Sequence, residues 1–216
     1  MSGIRHFLLA LQFFTRVPVT GPLADWVGFS PQMLRASAAH LPGIGWVVGA
    51  VAALVFTGVG MGLPGVAGAL AAAVLSTVAT VMLTGAFHED GLADVADGLG
   101  GSARRERALE IMKDSRIGAF GAVALVLALG LKFALLAALA ARGLQSVAIA
   151  IVGAHVLSRL MPLFLIRWLP YVGDSGASKA KPLADAISGG ALLIAVVWTL
   201  PAVALLLLAH DAVHVG

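Results

Sequence analysis

The sequence predicts an all-α, polytopic membrane protein, a helical bundle of five long spans preceded by an N-terminal interfacial or re-entrant segment. Hydrophobic residues make up 60% of the 216 residues and charged residues 12%, whereas a soluble domain averages roughly 45–50% apolar and about 25% charged residues. Five apolar segments approach or exceed the roughly 20 residues that a helix needs to cross a bilayer core. The chain contains no Cys. This composition excludes a soluble enzyme, a disordered chain and a disulfide-built secreted domain.

The five predicted spans cover about residues 41–62, 66–87, 117–141, 144–166 and 186–209. Leu63-Pro64-Gly65 predicts a tight hairpin between the first two spans, and Arg142-Gly143 predicts another between the third and the fourth. Ahead of them, the apolar run Phe7–Phe14 is short and no small-residue cleavage site follows it, so we interpret it as a retained segment and not as a signal peptide. We expect one integral membrane domain over residues 1–216.

Basic residues outside the spans predict the orientation of the chain. With the N-terminus in the cytoplasm, eleven Lys and Arg residues lie on the cytoplasmic side and only Arg142 lies on the opposite side. Both polar segments, 88–116 and 167–185, then face the cytoplasm. We expect a multi-pass protein of the bacterial inner (cytoplasmic) membrane, with its active face in the cytoplasm. These basic residues explain the net charge of +3, so membrane lipid is an expected partner and nucleic acid is not.

The densest polar signal is the acidic segment His88–Gly101, in which Asp90, Asp94 and Asp97 are spaced i, i+4 and i+7. On a helix this spacing places the three carboxylates on one face. They would repel one another without a cation between them, and an all-oxygen set with free positions suits Mg²⁺ together with substrate phosphates. The alternative is a solvated loop whose acids offset nearby arginines. Because the four glycines of the segment disfavour a regular helix, we expect a cytoplasmic acidic loop that holds Mg²⁺.

The residues that follow predict an amphipathic helix on the cytoplasmic leaflet, from Ser102 to Asp114. The loop and this surface helix together make up the cytoplasmic segment 88–116. Lys113–Arg116 meets the third span beside the acidic segment. Arg116 is placed to hold a phosphate; the alternative is a basic residue that only marks a cytoplasmic helix end.

Two cations lie inside the predicted spans. Lys132 lies midway along the third span, and Arg159 lies in the fourth, one turn after His155. A charge inside the hydrocarbon costs at least about 2.5–3.5 kcal/mol on insertion scales, so we expect both cations to face a polar interior and to be functional. We interpret His155 as a packed helix histidine.

Several stretches of the chain resemble the cobalamin synthase family, the adenosylcobinamide-GDP ribazoletransferases. These stretches are Leu11–Pro18, Pro42–Gly45, Thr84–Asp94 with Asp97-Gly98, and Met112–Gly118. Lys132 and Ser158-Arg159 match further along the chain. Phe87–Gly98 followed by Lys113–Gly118 is the most specific part of the resemblance.

The resemblance implies an enzyme that joins adenosylcobinamide-GDP to α-ribazole, or to its 5′-phosphate, and releases GMP in the last assembly step of vitamin B12. It also implies Mg²⁺ as the cofactor. Asp90, Asp94 and Asp97 would bind the metal, with Asp94 and Asp97 as catalytic residues and Asp97 alternatively deprotonating the attacking hydroxyl. The implied substrate-binding residues are His88, Asp114, Ser115, Arg116, Lys132, Ser158 and Arg159. Of these, Arg116, Lys132 and Arg159 would hold the diphosphate.

Family members usually continue through one more span to a Gly-rich acidic motif, so we expect the sixth family span to be missing from these 216 residues. A homo-oligomer is compatible with the sequence. Two alternatives from other classes are a CDP-alcohol phosphotransferase-like enzyme and a non-enzymatic carrier of cations or corrinoids. The phosphotransferase pattern adds Ala-Arg after its first Asp-Gly, whereas Leu92-Ala93-Asp94 follows Asp90-Gly91 here.

Overall fold

The computed structural model describes residues 2–172, 181–184 and 186–214, and every regular element in that part of the chain is a helix. The helices are α1 (Ser2–Phe14), α2 (Pro22–Val27), α3 (Pro31–Ser37), α4 (Leu41–Gly62), α5 (Gly65–Thr84), α6 (Phe87–Gly101), α7 (Arg105–Ile111), α8 (Ala119–Ala140), α9 (Leu144–Trp168), α10 (Lys181–Ala184) and α11 (Gly189–His214). A short 3-10 turn, Ala38–His40, joins α3 to α4. The all-α prediction is confirmed for these residues.

Within the described residues, five helices are long and apolar enough to cross a bilayer: α4, α5, α8, α9 and α11. They correspond to the five predicted spans, with ends that differ by a few residues. Both predicted hairpins are present, and Gly143 takes a φ of +104° in the second. The N-terminal helix α1 has 13 residues, which is too few to cross the bilayer core. The predicted polytopic bundle is confirmed.

The centre of the bundle is α4, which packs against α5 and α9. Two glycines of α4 allow a close approach to α9. A Cβ on Gly45 would lie 2.5 Å from the His155 carbonyl oxygen, and one on Gly49 would lie 2.9 Å from Val152 Cα. Small residues permit such backbone contacts between membrane helices, where van der Waals packing drives association. This contact holds α9 in place and leaves Arg159 buried inside the bundle.

The N-terminal helix α1 lies between α11 and the start of α6. Near the beginning of α1, Phe7 stacks on Trp198 with ring centroids 5.8 Å apart. At its end, Phe14 meets Phe87 edge-on at 5.7 Å. The Arg16 backbone N–H then donates a 2.7 Å hydrogen bond to the Leu83 carbonyl at the end of α5. These contacts attach the first residues of α6 to the bundle.

The segment that the sequence predicts as an acidic loop is the 15-residue helix α6, so this prediction is wrong. Gly85 and Ala86 have φ values of +70° and +62°, and this left-handed pair turns the chain from α5 directly into α6. Gly98 contacts Met112 and the Ala108 carbonyl, and Gly100 contacts Phe120, at distances that leave no room for a Cβ. Tertiary packing therefore compensates for the low helix propensity of the glycines.

The predicted surface helix is shorter than expected, because α7 contains seven residues and begins only at Arg105. The Arg104 backbone N–H donates a 3.1 Å hydrogen bond to Ser102 Oγ just before the helix. Ala108 is buried, and its carbonyl faces Gly98 of α6. Because α7 packs on α6, it brings the following stretch, Lys113–Gly118, back beside the acidic residues.

Candidate active site

The acidic helix α6 and the stretch before α8 enclose a cleft of about 190 Å³. The polar residues lining it are Glu89, Asp90, Asp94, Asp97, Ser115 and Arg116. All three predicted metal ligands therefore border the same cleft as Ser115 and Arg116, which were predicted to bind substrate. The i, i+4, i+7 spacing places the aspartates on one face, as expected for a helix.

Asp90 and Asp94 present the acidic charge of the cleft. Asp90 is exposed and Asp94 is half-buried. Partial burial raises the pKa of Asp94, and the charges of Asp90 and Asp97 raise it further, because like charges disfavour the ionised form. Two neighbouring carboxylates open to water fit Mg²⁺, which commonly takes one or two carboxylates and completes its shell with water and phosphate oxygens. Among the described residues, no group of three or more His, Asp or Glu is arranged to hold a metal ion.

Asp97 differs from its two neighbours because its carboxylate is already hydrogen-bonded to α8. Its Oδ2 accepts the Gly118 backbone N–H at 2.7 Å, and its Oδ1 accepts the Gly121 N–H at 2.8 Å. Only 7% of Asp97 is exposed. A Cβ on Gly118 or on Gly121 would overlap the Asp97 carboxylate. The contact therefore requires glycine at both positions.

Asp114 lies outside the cleft lining and orients Arg116. Arg116 Nε donates to Asp114 Oδ1 at 3.0 Å, and the Arg116 terminal nitrogen donates to Asp114 Oδ2 at 2.5 Å. These hydrogen bonds lower the pKa of Asp114 to about 2 and raise the pKa of Arg116. The Arg116 side chain remains 86% exposed, so its guanidinium is held beside the cleft and is still accessible to a ligand.

A second group of charges lies where the first turn of α6 meets α8 and α9. The Glu89 carboxylate attracts both Lys132 of α8 and Arg159 of α9. Arg159 is 3% exposed, and its terminal nitrogen Nη1 lies 3.0 Å from both the carbonyl oxygen and the Nδ1 of His155. Two buried atoms in this group, Glu89 Oε2 and Arg159 Nε, have no hydrogen-bond partner among the described residues. We call these four residues, Glu89, Lys132, His155 and Arg159, the intramembrane cluster.

His88 borders this cluster from the start of α6. Its side chain is exposed, yet desolvation of the ring lowers the pKa of His88. The positive charge of Arg159 lowers this pKa further, and Glu89 partly opposes the shift. His88 therefore remains neutral at pH 7 and can donate or accept a hydrogen bond. The structure brings together His88, Lys132 and Arg159, as the sequence predicts for functional residues.

Ser158 does not join the cluster through any described contact. It is exposed, and its hydroxyl donates a 3.3 Å hydrogen bond to the His155 carbonyl of its own helix.

Sequence reasoning missed two residues, Glu89 and His155. Successive residues on a helix differ by about 100° in direction, so Glu89 and Asp90 border the cleft from different directions. This angle is the sequence signal that could have pointed Glu89 toward a neighbouring helix. His155 precedes Arg159 by one turn, which places both residues on one face of α9. The interpretation of His155 as a packed histidine is incomplete, because Nδ1 and the carbonyl oxygen of His155 also contact Arg159 Nη1.

A larger cavity, of about 630 Å³, lies between α1, α3 and the start of α11. His6, His40 and Arg35 border it. None of the described residues that line it is acidic, and none was predicted as a site residue. The acidic cleft is therefore the better candidate for metal-assisted chemistry, although it is smaller.

The chain is similar to known proteins along nearly its whole length. The family model described as cobalamin-5-phosphate synthase matches residues 6–215. An adenosylcobinamide-GDP ribazoletransferase of Polaromonas naphthalenivorans (strain CJ2) is 60% identical, over 99% of this chain and 82% of that protein. The protein of that name from Albidiferax ferrireducens is 60% identical, over 97% of this chain and 75% of its own. The one from Leptothrix cholodnii is 53% identical, over 90% and 70%.

No solved structure matches the chain. The family model covers the acidic cleft, the stretch that carries Arg116 and the intramembrane cluster. Because it matches nearly the whole sequence, this chain belongs to the cobalamin-5-phosphate synthase family.

Proposed function

We propose that this protein is an adenosylcobinamide-GDP ribazoletransferase, which joins adenosylcobinamide-GDP to α-ribazole or its 5′-phosphate and releases GMP. Family membership and relatives of that name at 53–60% identity support the reaction class. The observation that carries the proposal is an acidic cleft lined by Glu89, whose carboxylate attracts the buried Arg159 guanidinium with its unpartnered Nε. A diphosphate substrate needs both a divalent cation and fixed cationic groups.

We propose that Mg²⁺ is the cofactor and that Asp90 and Asp94 hold it at the cleft. Their neighbouring carboxylates have the chemistry that Mg²⁺ prefers. When bound, the ion would neutralise negative charge on the diphosphate. Phosphoryl transfer depends mainly on positioning and charge neutralisation, so these residues contribute by bringing the cation and the diphosphate together.

Arg116 and the intramembrane cluster would bind the diphosphate from the other sides. Buried polar atoms are almost always hydrogen-bonded, and Arg159 Nε lacks a partner within the described residues. A phosphate oxygen is a fitting acceptor, because guanidinium groups bind phosphates through charge-assisted hydrogen bonds. Without substrate, Glu89 offsets the charges of Lys132 and Arg159. Ser115, in the cleft lining, and His88, beside the intramembrane cluster, would also contact the substrate.

In the reaction, the attacking hydroxyl of the ribazole forms a new P–O bond at the cobinamide-side phosphorus. The bond from that phosphorus to the oxygen bridging the two phosphates breaks, and GMP leaves with that oxygen. The hydroxyl proton passes to a carboxylate at the cleft. Arg116, Lys132 and Arg159 hold the phosphates in place and stabilise the charge that develops on the leaving group.

We also infer that the protein resides in the bacterial inner membrane with the cleft on the cytoplasmic side. The excess of basic residues on that side supports this orientation. Exposed apolar side chains on α8, such as Val126 and Leu127, would contact lipid.

The test is GMP release by the purified protein in lipid nanodiscs, measured by chromatography after adding adenosylcobinamide-GDP, α-ribazole and Mg²⁺. We expect GMP and a cobalamin product in equal amounts, and neither without α-ribazole. Binding of the corrinoid without GMP release would instead indicate a carrier. Transfer from a CDP-alcohol, with no activity on adenosylcobinamide-GDP, would indicate the other enzyme class. Either result would contradict the proposal.

A further inference from the structure

We propose that Asp97 is a positioning residue, which fastens the N-terminus of α8 to the acidic helix α6 and so sets Arg116 at the cleft. This role differs from metal binding and from proton acceptance. The inference rests on the proposed function, since the positioning serves the binding of the diphosphate.

Both carboxylate oxygens of Asp97 have partners at the N-terminus of α8. Gly118 immediately precedes the helix and Gly121 lies in its first turn, where backbone N–H groups have no partner inside the helix. Hydrogen bonds from amides to a carboxylate are among the stronger ones in proteins, and the positive end of the helix dipole favours a negative charge at this place. The Asp97 charge is therefore compensated by α8 without a metal ion.

Asp97 is more deeply buried than the two other aspartates. Only 7% of Asp97 is exposed, whereas Asp90 is exposed and Asp94 is half-buried. Asp90 and Asp94 can therefore approach a hydrated cation directly. Each Asp97 oxygen already accepts one amide, and the burial of the side chain leaves a hydrated cation little access to the remaining lone pairs.

Glycines at two positions permit this contact. A Cβ on Gly118 would overlap the Asp97 carboxylate. A Cβ on Gly121 would overlap it too and would lie 2.9 Å from the Ala93 carbonyl. The contact thus depends on residues of both elements: the buried Asp97 on α6, and Gly118 and Gly121 at the N-terminus of α8.

The contact between Asp97 and the two glycines lies close to Arg116 in the sequence and therefore positions it. Arg116 lies two residues before Gly118, and Ser115 and Arg116 both line the cleft. The Asp97 contact bridges 21 residues of sequence to Gly118 and 24 to Gly121. It closes the α6–α7–α8 segment into one unit, so that Arg116 lines the same cleft as Asp90 and Asp94.

The experiment compares Asp97→Asn with Asp94→Asn in the full chain in nanodiscs. Three quantities are measured: the KM for adenosylcobinamide-GDP, the Mg²⁺ concentration at half-maximal rate, and amide hydrogen exchange of peptides covering residues 115–122. We expect Asp97→Asn to raise the KM about tenfold or more, because an Asn side chain accepts only one of the two amide bonds. The Mg²⁺ requirement and the KM for α-ribazole should not change. Exchange at 118–121 should become at least about tenfold faster.

Asp94→Asn should show the reverse pattern, with a higher Mg²⁺ requirement and unchanged exchange. A higher Mg²⁺ requirement for Asp97→Asn, equal to that of Asp94→Asn, would identify Asp97 as a ligand. Loss of the acidic limb of the pH–rate profile in Asp97→Asn would identify it as the base. Either outcome, or unchanged exchange at 118–121, would overturn the inference.

Gly121→Ala provides an independent variant that keeps the Asp97 charge. Its Cβ should displace the carboxylate and raise the same KM. Gly130→Ala is the matched control, because Gly130 lies on the same helix with nothing within 4 Å of a Cβ, and it should leave the KM unchanged.

If the variants do not fold, amide hydrogen exchange of the wild-type protein tests the inference instead. The protection of residues 118–121 should persist when EDTA removes Mg²⁺. Loss of this protection would contradict the inference. Absence of GMP release by the wild-type protein would refute the proposed function, whereas the exchange measurements test the Asp97 contact independently of activity.

Discussion

Glu89 of α6 and Arg159 of α9 attract each other inside the bundle, yet Glu89 Oε2 and Arg159 Nε each lack a hydrogen-bond partner among the described residues. The two side chains therefore neutralise part of each other's charge without saturating their hydrogen bonds. A phosphate group can take up the free guanidinium N–H while Glu89 continues to offset Lys132. This relationship links the acidic helix to the cations within the spans, and it leads to the first two predictions.

Lys132→Met should weaken the binding of adenosylcobinamide-GDP and leave the fold intact. Methionine has a similar length and removes only the charge that would contact the phosphates. We expect the KM to rise about tenfold or more, as for the loss of one charge-assisted hydrogen bond. Arg142→Gln, in the exposed hairpin after α8, is the control and should be silent. Steady-state kinetics at low substrate are the measurement, and unchanged rates there would contradict the role of Lys132.

Glu89→Gln should destabilise the protein, because Lys132 and Arg159 would then lose their buried counter-charge. The loss should be about 1–3 kcal/mol of the free energy of unfolding, since Glu89 is only partly buried. Inorganic diphosphate should restore part of this stability by binding to the two cations that have lost their counter-charge. Thermal unfolding in detergent, with and without diphosphate, measures both effects. Equal unfolding temperatures for wild type and variant would show that Glu89 does not balance the cations.

Asp94→Asn should lower the rate of GMP release by at least about 10²-fold at limiting Mg²⁺. The substitution removes a charged ligand of the ion that would stabilise the charge developing on the phosphates. Asparagine preserves the shape, so the fold should remain. Higher Mg²⁺ should restore part of the rate if Asp94 is a ligand. Glu106→Gln, at an exposed position of α7, is the control and should be nearly silent. Wild-type rates in Asp94→Asn at limiting Mg²⁺ would remove the metal site from this cleft.

The raised pKa of Asp94 predicts a pH dependence of stability in the Mg²⁺-free protein. Protonation removes the cost of partly burying the charged carboxylate, and it also relieves the repulsion with Asp90 and Asp97. This contribution to stability should be fully present below pH 3.8, the ordinary pKa of an aspartate, and should be lost as the pH rises through the raised pKa of the folded protein. In EDTA, the unfolding temperatures of the wild type and of Asp94→Asn should therefore differ at pH values above the raised pKa of Asp94. Identical curves for the two proteins would contradict the prediction.

The orientation can be tested with single cysteines, because the chain contains none. Cysteine at Ser102, between α6 and α7, should be protected from an impermeant thiol reagent in intact cells. Cysteine at Arg142, in the hairpin after α8, should be labelled under the same conditions. The excess of basic residues on the side of Ser102 is the reason for this expectation. Labelling at Ser102 with protection at Arg142 would establish the opposite orientation.

Local sequence patterns are sufficient to predict the five spans, both hairpins and the group of acids between the second and third spans. Hydropathy acts over a local stretch of about 20 residues, so each span can be recognised without knowledge of its neighbours. The spacing of Asp90, Asp94 and Asp97 is also a local property, since the helical period alone decides which residues share a face. The cost of a charge in hydrocarbon likewise predicts that Lys132 and Arg159 face the interior of the bundle, because this cost depends only on the position of each residue within its own span.

The partner that each of these side chains meets depends on how the helices pack against one another. The helical state of α6 depends on contacts of Gly98 and Gly100 with α7 and α8, which outweigh the low helix propensity of glycine. Asp97 shares a face with Asp94, but it meets α8 amides more than 20 residues away in the chain. Glu89 joins Arg159 across 70 positions of sequence. Hydrogen bonds and ion pairs depend on distances of a few ångströms, and helix packing sets these distances between residues that are remote in sequence.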